Sequence, residues 1–292
     1  MGRIDVSFVA ILLLLGSLLS GSASGAELKE FRVCGDPDNL PFSNQRLEGF
    51  ENKIAEVIGQ ELGTRPTYYW WPHQRGLIRN TLRADRCDVL IGIPKGYDLV
   101  LWTKPYYRTS YVIVYGKNKG FHIGSLGDPI LRRVRIGAHA GTPPHDLLAE
   151  RGILENVVSY PLFFDPRDQD PNDRPSKLIS DLIAGKIDVA IVWGPIAGYF
   201  VKKLNASFLE LVPLQDGGRI PLAFDISMGV RKDDKELKAT LEQALDKRQA
   251  EIKKILEDFG VPLMPVGSSG GAGEQGAAAE ARRDGDGHQH RE

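Results

Sequence analysis

One pattern occurs twice in the chain, one hundred residues apart, as Leu82-Arg-Ala-Asp-Arg-Cys-Asp-Val-Leu-Ile-Gly-Ile93 and Leu182-Ile-Ala-Gly-Lys-Ile-Asp-Val-Ala-Ile-Val-Trp193. Each copy is typical of a helix end, a polar turn, and a strand that begins at Asp-Val and is closed by Pro94 or Pro195. A helix-to-strand turn in any α/β protein can produce one short match of this kind. The repeat therefore favours two lobes with the same topology, without deciding the question alone.

The residues around the two copies predict the same order of elements in each lobe. Apolar spacing and turn residues predict strands at 31–34, 67–71 and 89–93 with helices at 52–62 and 76–84, then strands at 134–137 and 157–162 with helices at 142–152 and 176–184. A β-rich segment, 111–115, lies between the lobes, and a strand at 222–230 and a helix at 234–259 complete the chain. Such alternation predicts an α/β fold in which each lobe is a parallel-rich sheet flanked by helices.

Both ends of the chain differ in composition from the rest. An apolar run at 6–19 follows Arg3 and leads into small residues up to Ala26, which predicts a cleavable signal peptide at 1–26 and export to the periplasm. The run is too short to span a bilayer comfortably, so the mature chain is expected not to be membrane-spanning. Residues 267–292 lack large apolar side chains, which predicts a disordered tail.

Two chain crossings are expected between the lobes, near 116–120 and near 217–221, where Gly and Pro suit a hinge. They would divide the chain into lobe one, 27–117 plus 222–266, and lobe two, 118–221. With no long heptad pattern, a monomer is the default expectation.

Charge and cysteine content restrict the function classes. The net charge of −1, with acids and bases interspersed, gives no indication of a nucleic-acid partner. In an oxidising compartment Cys34 and Cys87 can form a disulfide, and two buried free thiols are the alternative. No histidines stand at zinc-like spacing and no nucleophile motif occurs, so we predict no metal site, no cofactor and no catalytic residue.

The order of elements resembles the type II periplasmic binding proteins, a solute-binding family (family 3-like) that contains receptors for polar amino acids. Individually weak marks in the right order carry this resemblance: Thr103-Lys-Pro-Tyr-Tyr107, Val112-Ile-Val114, Gly141-Thr142 and Gly185-Lys-Ile-Asp-Val-Ala190. The resemblance implies a two-lobed fold with a hinge of two crossovers.

A more specific set of motifs is similar to the J proteins of methanol-dehydrogenase gene clusters (the MxaJ and XoxJ type), a branch of that family. The motifs are Val33-Cys-Gly-Asp-Pro-Asp-Asn-Leu-Pro-Phe-Ser-Asn44, Gly49-Phe-Glu-Asn-Lys53, Trp70-Trp-Pro-His-Gln-Arg75, Arg79-Asn-Thr-Leu82, Cys87-Asp-Val89 and Val192-Trp-Gly-Pro-Ile-Ala-Gly-Tyr199. This resemblance implies a non-enzymatic accessory role in maturing or activating a periplasmic pyrroloquinoline-quinone (PQQ) alcohol dehydrogenase. The dehydrogenase, alone or with its cytochrome c, is then the partner.

The cleft between the lobes lacks the charges that hold an amino acid. A zwitterion needs an Arg for its carboxylate and an acid for its ammonium group. The position that corresponds to the Arg falls near Gly96, and the position of the acid falls at Trp193 and Gly194. Lys95 could replace the Arg as a point charge, or it could simply be solvated on a loop.

The residues expected at the mouth of the cleft follow the carboxyl ends of predicted strands, where ligands of open α/β sheets bind. Gly141 and Thr142 could also hold an anion at a helix start, with an ordinary N-cap as the alternative. The candidate ligand-binding or partner-facing residues are Asp36, Asn39, Phe42, Trp71, Gln74, Arg75, Lys95, Tyr106, Gly141, Thr142 and Trp193.

Two other functions remain open. The chain could be the receptor of an ABC importer for a small polar solute, with a permease as its partner. It could also be an enzyme similar to cyclohexadienyl dehydratases, in which Glu48 or Asp36 would be the general acid and Arg75 the anchor for the substrate carboxylate.

Overall fold

The computed structural model describes residues 30–162, 175–215 and 219–267. Its strands are β1 Phe31–Gly35, β2 Asp38–Asn39, β3 Ser43–Asn44, β4 Pro66–Trp70, β5 Val89–Pro94, β6 Leu101–Trp102, β7 Tyr107–Gly116, β8 Ile136–His139, β9 Val157–Tyr160, β10 Val189–Trp193, β11 Leu209–Pro213 and β12 Ala223–Val230. Its α-helices are α1 Phe50–Glu61, α2 Leu77–Asn80, α3 Pro143–Glu150, α4 Ser176–Ile183, α5 Gly194–Lys203 and α6 Lys235–Asp258. The predicted signal peptide and, apart from Gly267, the predicted tail lie outside the described residues.

Ten of the described strands form one curled sheet in the order β4-β1-β5-β12-β7-β10-β8-β9, with β6 paired to β12 and β11 paired to β7, and β2 and β3 form a separate two-stranded sheet. In lobe one, β1 is parallel to β4 and β5. In lobe two, β8 is parallel to β9 and β10. The parallel-rich sheets predicted for the two lobes are therefore confirmed.

Helices cover both sheets, and their apolar spacing shows why they form where they do. Phe50, Ile54 and Ile58 recur at every fourth position of α1 and are fully buried against α6. Burying a side chain of this size contributes about 1.5 to 3 kcal/mol. In lobe two, α4 and α5 pack on one face of the sheet and α3 on the other. The three-layer arrangement expected of an α/β protein follows.

Strand β7 belongs to both lobes. Its residues from Tyr107 to Ser110 pair with β12, and from Tyr111 onward they pair with β10 and β11. The change of partner thus lies at Ser110 and Tyr111, while Gly116, where a crossing was expected, ends β7 opposite Leu209. The lobe boundaries stated above remain a prediction.

The two copies of the repeated pattern occupy equivalent positions. The amide of Asp88 donates to the carbonyl oxygen of Arg32, and the amide of Asp188 donates to that of Arg135, each at 2.8 Å. In each lobe the same Arg also donates Nε to the Asp carboxylate, at 2.7 Å in lobe one and 3.0 Å in lobe two. The predicted equivalence of Asp88 and Asp188 is confirmed by these matching ion pairs.

One predicted helix is wrong over most of its length. The helix expected at 76–84 is reduced to α2, which ends at Asn80. Thr81 has φ −119° and ψ −90°, and Asp85 has φ 53°, so the backbone leaves the helical region. The hydrophobic positions Ile78 and Leu82 are nevertheless buried, because successive turns replace the helix.

The predicted disulfide is confirmed. Cys34 in β1 is bonded to Cys87, which lies two residues before the first residue of β5, and their Cα atoms lie 5.3 Å apart. Both residues are buried in the core on the face of lobe one opposite α1. No helix in the part of the chain that the structure describes has both the length and the hydropathy needed to cross a membrane.

Candidate binding cleft

The carboxyl ends of the parallel strands of both lobes face the crossing strands. Pro94, the last residue of β5, pairs with Ile226 of β12 close to the crossing. Trp193, the last residue of β10, pairs with Tyr111, where β7 enters lobe two. This geometry creates a cleft between the two sets of strand ends, the expected place for a ligand in an α/β sheet.

The predicted cleft residues follow these strand ends in the chain. Asp36, Trp71 and Lys95 follow β1, β4 and β5, and Gly141 with Thr142 follows β8. Their position supports a common cleft, but their side chains have different environments.

Aromatic side chains occupy the space between the lobes. Trp193 lies with its ring centroid 5.0 Å from that of Tyr111 and 5.7 Å from that of Phe224. Phe42 and Trp193 each pack against the cores of both lobes, and Phe42 lies 5.3 Å from the ring of Phe50. An uncharged indole thus lies where the resemblance to amino-acid receptors would place a carboxylate.

Asp36 fixes the backbone around the end of β1. Its residue is 7 % exposed. Oδ1 accepts a hydrogen bond from the amide of Asp38 at 3.0 Å, and Oδ2 accepts one from the amide of His73 at 2.6 Å. Each carboxylate oxygen therefore already holds a backbone N–H. The contacts give Asp36 a positioning role in the loops around the cleft.

The predicted charged and polar residues at the rim are exposed. Gln74 and Arg75 lie on the turn before α2, and Asn39 is half-buried in the short hairpin of β2 and β3. The ammonium group of Lys95 lies over the ring of Trp102, 5.4 Å from its centroid. This cation–π contact engages the charge that could have replaced the missing Arg.

Gly141 and Thr142 shape the turn before α3. Gly141 has φ 71°, a conformation that favours glycine. Thr142 stands at the N-cap position, but its Oγ1 donates to the carbonyl oxygen of His139 at 2.7 Å and makes no side-chain cap. The predicted N-cap is therefore wrong in one respect: Thr142 occupies the N-cap position, but its side chain does not cap the helix. Burial lowers the pKa of His139 to about 4, so the turn carries no positive charge at neutral pH.

A buried carboxyl that the sequence did not single out lies near the cleft. Glu51 is in the first turn of α1 and is only 6 % exposed. Its Oε1 lies against Gly92, where an added Cβ would be 2.0 Å away. Burial and, secondarily, the charge of Asp36 raise the pKa of Glu51 well above its usual range. A glutamate in a first helical turn usually faces solvent, where it stabilises the helix dipole, so its position alone did not indicate burial.

Tyr106 and His73 belong to the same buried region. Burial, followed by the neighbouring Tyr107 and Glu51, raises the pKa of Tyr106 well above its usual value. Burial lowers the pKa of His73. The imidazole and the phenol are therefore neutral near pH 7.

Replacing Glu51 by Gln is expected to remove a loss of stability that the protein shows as the pH rises. Because the folded-state pKa of Glu51 is raised, its stabilising contribution is complete below the usual value of 4.5 and is lost as the pH rises through the folded-state pKa. One proton gives a slope of up to about 1.4 kcal/mol per pH unit. Urea unfolding at a series of pH values measures it.

The exposed Glu48 provides the matched control. Hydrogen bonds from Asn44 and then Arg46 lower the pKa of Glu48, so Glu48→Gln should leave the slope above pH 4.5 unchanged. A Glu51→Gln protein with the same slope as the wild type would contradict the assignment of that slope to Glu51.

Comparison with known proteins identifies the family of this chain. Residues 31–261 match the model of the bacterial extracellular solute-binding proteins, family 3. Protein MoxJ of Methylorubrum extorquens (strain AM1) is 32 % identical over 85 % of this chain and 86 % of its own length.

Two solved structures show the same architecture. The periplasmic binding protein XoxJ from Methylobacterium extorquens AM1 is 38 % identical, with a TM-score of 0.67 over 80 % of this chain and 99 % of that chain. MxaJ from Methlophaga aminisulfidivorans MPT is 29 % identical, with a TM-score of 0.68 over 80 % and 100 %. The expected two-lobed type II fold and the resemblance to the J proteins are both confirmed. The chain belongs to the bacterial extracellular solute-binding proteins, family 3.

Proposed function

We propose that this chain is an exported, non-enzymatic accessory protein that matures or activates a PQQ-dependent methanol or alcohol dehydrogenase. The observation that carries the proposal is the packing of the uncharged Trp193 side chain against the cores of both lobes. The family resemblance would place the acid of an amino-acid site at Trp193 and its Arg near Gly96, so both charged anchors are expected to be missing. Relatedness to MoxJ and XoxJ supplies the process in which such a cleft would act.

The aromatic character of the cleft favours a protein partner over a charged solute. Burying an amino acid here would leave its carboxylate and ammonium groups without the ion pairs that offset their desolvation. Trp, Tyr and Arg side chains, such as Trp71, Tyr106 and Arg75, are frequent anchors in protein interfaces. Family membership and the disulfide both fit the oxidising periplasm.

Native mass spectrometry of the protein isolated gently from the periplasm of its host tests the proposal. The expected spectrum contains a complex heavier by a dehydrogenase subunit and no small-molecule adduct. A preparation from cells that lack the dehydrogenase is the control and should contain the free chain only. A stoichiometric small-molecule adduct on a lone monomer would instead support the importer receptor.

The dehydratase alternative has less support from the site. Glu48, one of its two candidate acids, is exposed and has a lowered pKa, so it is ionised at neutral pH and is a weak proton donor. Asp36, the other, already accepts two backbone N–H groups. Glu48 therefore lacks the raised pKa that a general acid needs.

A further inference from the structure

A second apolar surface lies on lobe two, away from the cleft residues described above. The turn between α5 and β11 exposes Leu204 by 43 % and Phe208 by 51 %, among the largest exposures of big apolar side chains in the described residues. Both lie on one short connection of lobe two. We call this region, residues 201–211 with Gly198 and Gly260, the α5–β11 surface.

A depression of about 420 Å³ opens beside the two exposed side chains. Val201, Lys202 and Asn205 line it from the α5 side and Ser207 and Leu211 from the β11 side, and Gly198 and Gly260 complete the lining. The volume is enough for one large side chain, and small-molecule sites begin near this size. Because Phe208 and Leu204 extend the apolar area outside the depression, the arrangement fits a protein surface that inserts a single side chain.

Three lysines give this surface a positive charge. Lys117 donates to the carbonyl oxygen of Ser207 at 2.7 Å, and Lys202 donates to that of Asp258 at 2.5 Å. Lys203 lies over the ring of Tyr199, 5.3 Å from its centroid. Lys202 also interacts electrostatically with Asp258, which itself pairs with Lys254 at 2.7 Å, and Lys203 interacts with Glu48. Residues 201–211 contain one exposed acid, Glu210, so Lys117, Lys202 and Lys203 leave the surface with a net positive charge, which favours an acidic partner.

We propose that the α5–β11 surface docks an acidic protein face that inserts one apolar side chain into the depression. The inference rests on the proposed function, because it assigns this surface to the alcohol dehydrogenase. Lysines at the rim would accelerate the encounter with an acidic face, and the apolar contact would slow dissociation.

The depression joins the two lobes. Gly198 is in α5 of lobe two, and Gly260 follows α6 of lobe one, yet a Cβ on Gly198 would lie only 1.8 Å from the carbonyl oxygen of Gly260. Tyr199 and Phe259 stack beside this contact with their centroids 5.8 Å apart. A side chain in the depression therefore touches both lobes at once and stabilises their observed relative position.

Binding to the purified PQQ alcohol dehydrogenase of the same host, measured by biolayer interferometry over a salt series, tests the docking surface. Phe208→Ala should raise the Kd at least tenfold. Lys202→Glu combined with Lys203→Glu should lower the association rate and flatten its salt dependence. Because all three side chains are exposed, the variants should fold, which thermal melting verifies.

Matched controls lie elsewhere on the surface. Val158 of β9 is 45 % exposed, so Val158→Ala removes a comparable apolar contact from lobe two, and Lys232→Glu reverses an exposed charge after β12. Both should bind like the wild type. If the wild type binds the dehydrogenase and the three substitutions have no effect, the docking surface is wrong and the accessory function stands. If the wild type does not bind, both proposals fail.

Discussion

Removing the disulfide by the double substitution Cys34→Ala and Cys87→Ala is expected to lower the free energy of unfolding by about 4 kcal/mol. The bond joins residues 53 positions apart, so its loss returns a long loop to the unfolded chain. That loop contains α1 and β4. Urea unfolding followed by circular dichroism measures the change.

Reduction of the wild type separates the cross-link from the packing of the sulfur atoms. The reduced protein keeps both buried side chains and loses only the covalent bond. Reduction alone should therefore cause most of the loss of unfolding free energy that the double variant shows. The double variant should be slightly less stable still, because Cys34 and Cys87 are 2 % and 0 % exposed and alanine leaves small cavities. A reduced protein as stable as the oxidised one would contradict the expected role of the bond.

Gly198→Ala is expected to destabilise the protein by about 3 kcal/mol. The new Cβ would lie 1.8 Å from the carbonyl oxygen of Gly260, a backbone atom that cannot rotate away. Replacing glycine by alanine inside helix α5 would by itself stabilise the helix by about 1 kcal/mol. The steric destabilisation therefore has to exceed this gain. Thermal melting measures the net change, and small-angle scattering measures any increase in the separation of the lobes.

Gly124→Ala is the matched control for this substitution. An added Cβ at Gly124 meets nothing within 4 Å, and its backbone needs no left-handed conformation. Its stability should therefore stay within about 0.5 kcal/mol of the wild type. An unchanged or raised melting temperature for Gly198→Ala would show that α5 and the turn after α6 can separate at little cost.

Several helices and strands could be predicted from the sequence because the spacing of apolar residues indicates which positions are buried. Both bounds of α1 and of α6 lie within two residues of the predicted ones, because Phe50, Ile54 and Leu241 belong to the buried apolar faces of these helices. Helix α5 was missed, because Pro195 was taken only as the end of a strand. In the structure it stands in the first turn of that helix, where a missing N–H has no cost.

The site was predicted less completely than the fold. The expected absence of charged anchors at Gly96 and Trp193 stays a prediction, since it depends on how these positions correspond to those of amino-acid receptors. The burial of Glu51 could not be predicted from the sequence, because it depends on Gly92 of a distant strand leaving room for the carboxyl. The depression between α5 and Gly260 was also invisible, since it is formed by segments 60 residues apart that meet only in the folded chain.

Strand β7 has a mechanical consequence for the way the lobes can move. It runs for ten residues through both sheets without a break, and Arg108 on it is paired with Asp225 of β12 at 3.1 Å. The lobes are thus joined by a continuous strand that can bend, and not by a freely rotating hinge. A small rotation of one lobe relative to the other distributes the strain over all the hydrogen bonds of β7. A large rotation has to break the strand pairs at Ser110 and Tyr111. We therefore expect the cleft to flex through a narrow, continuous range of angles.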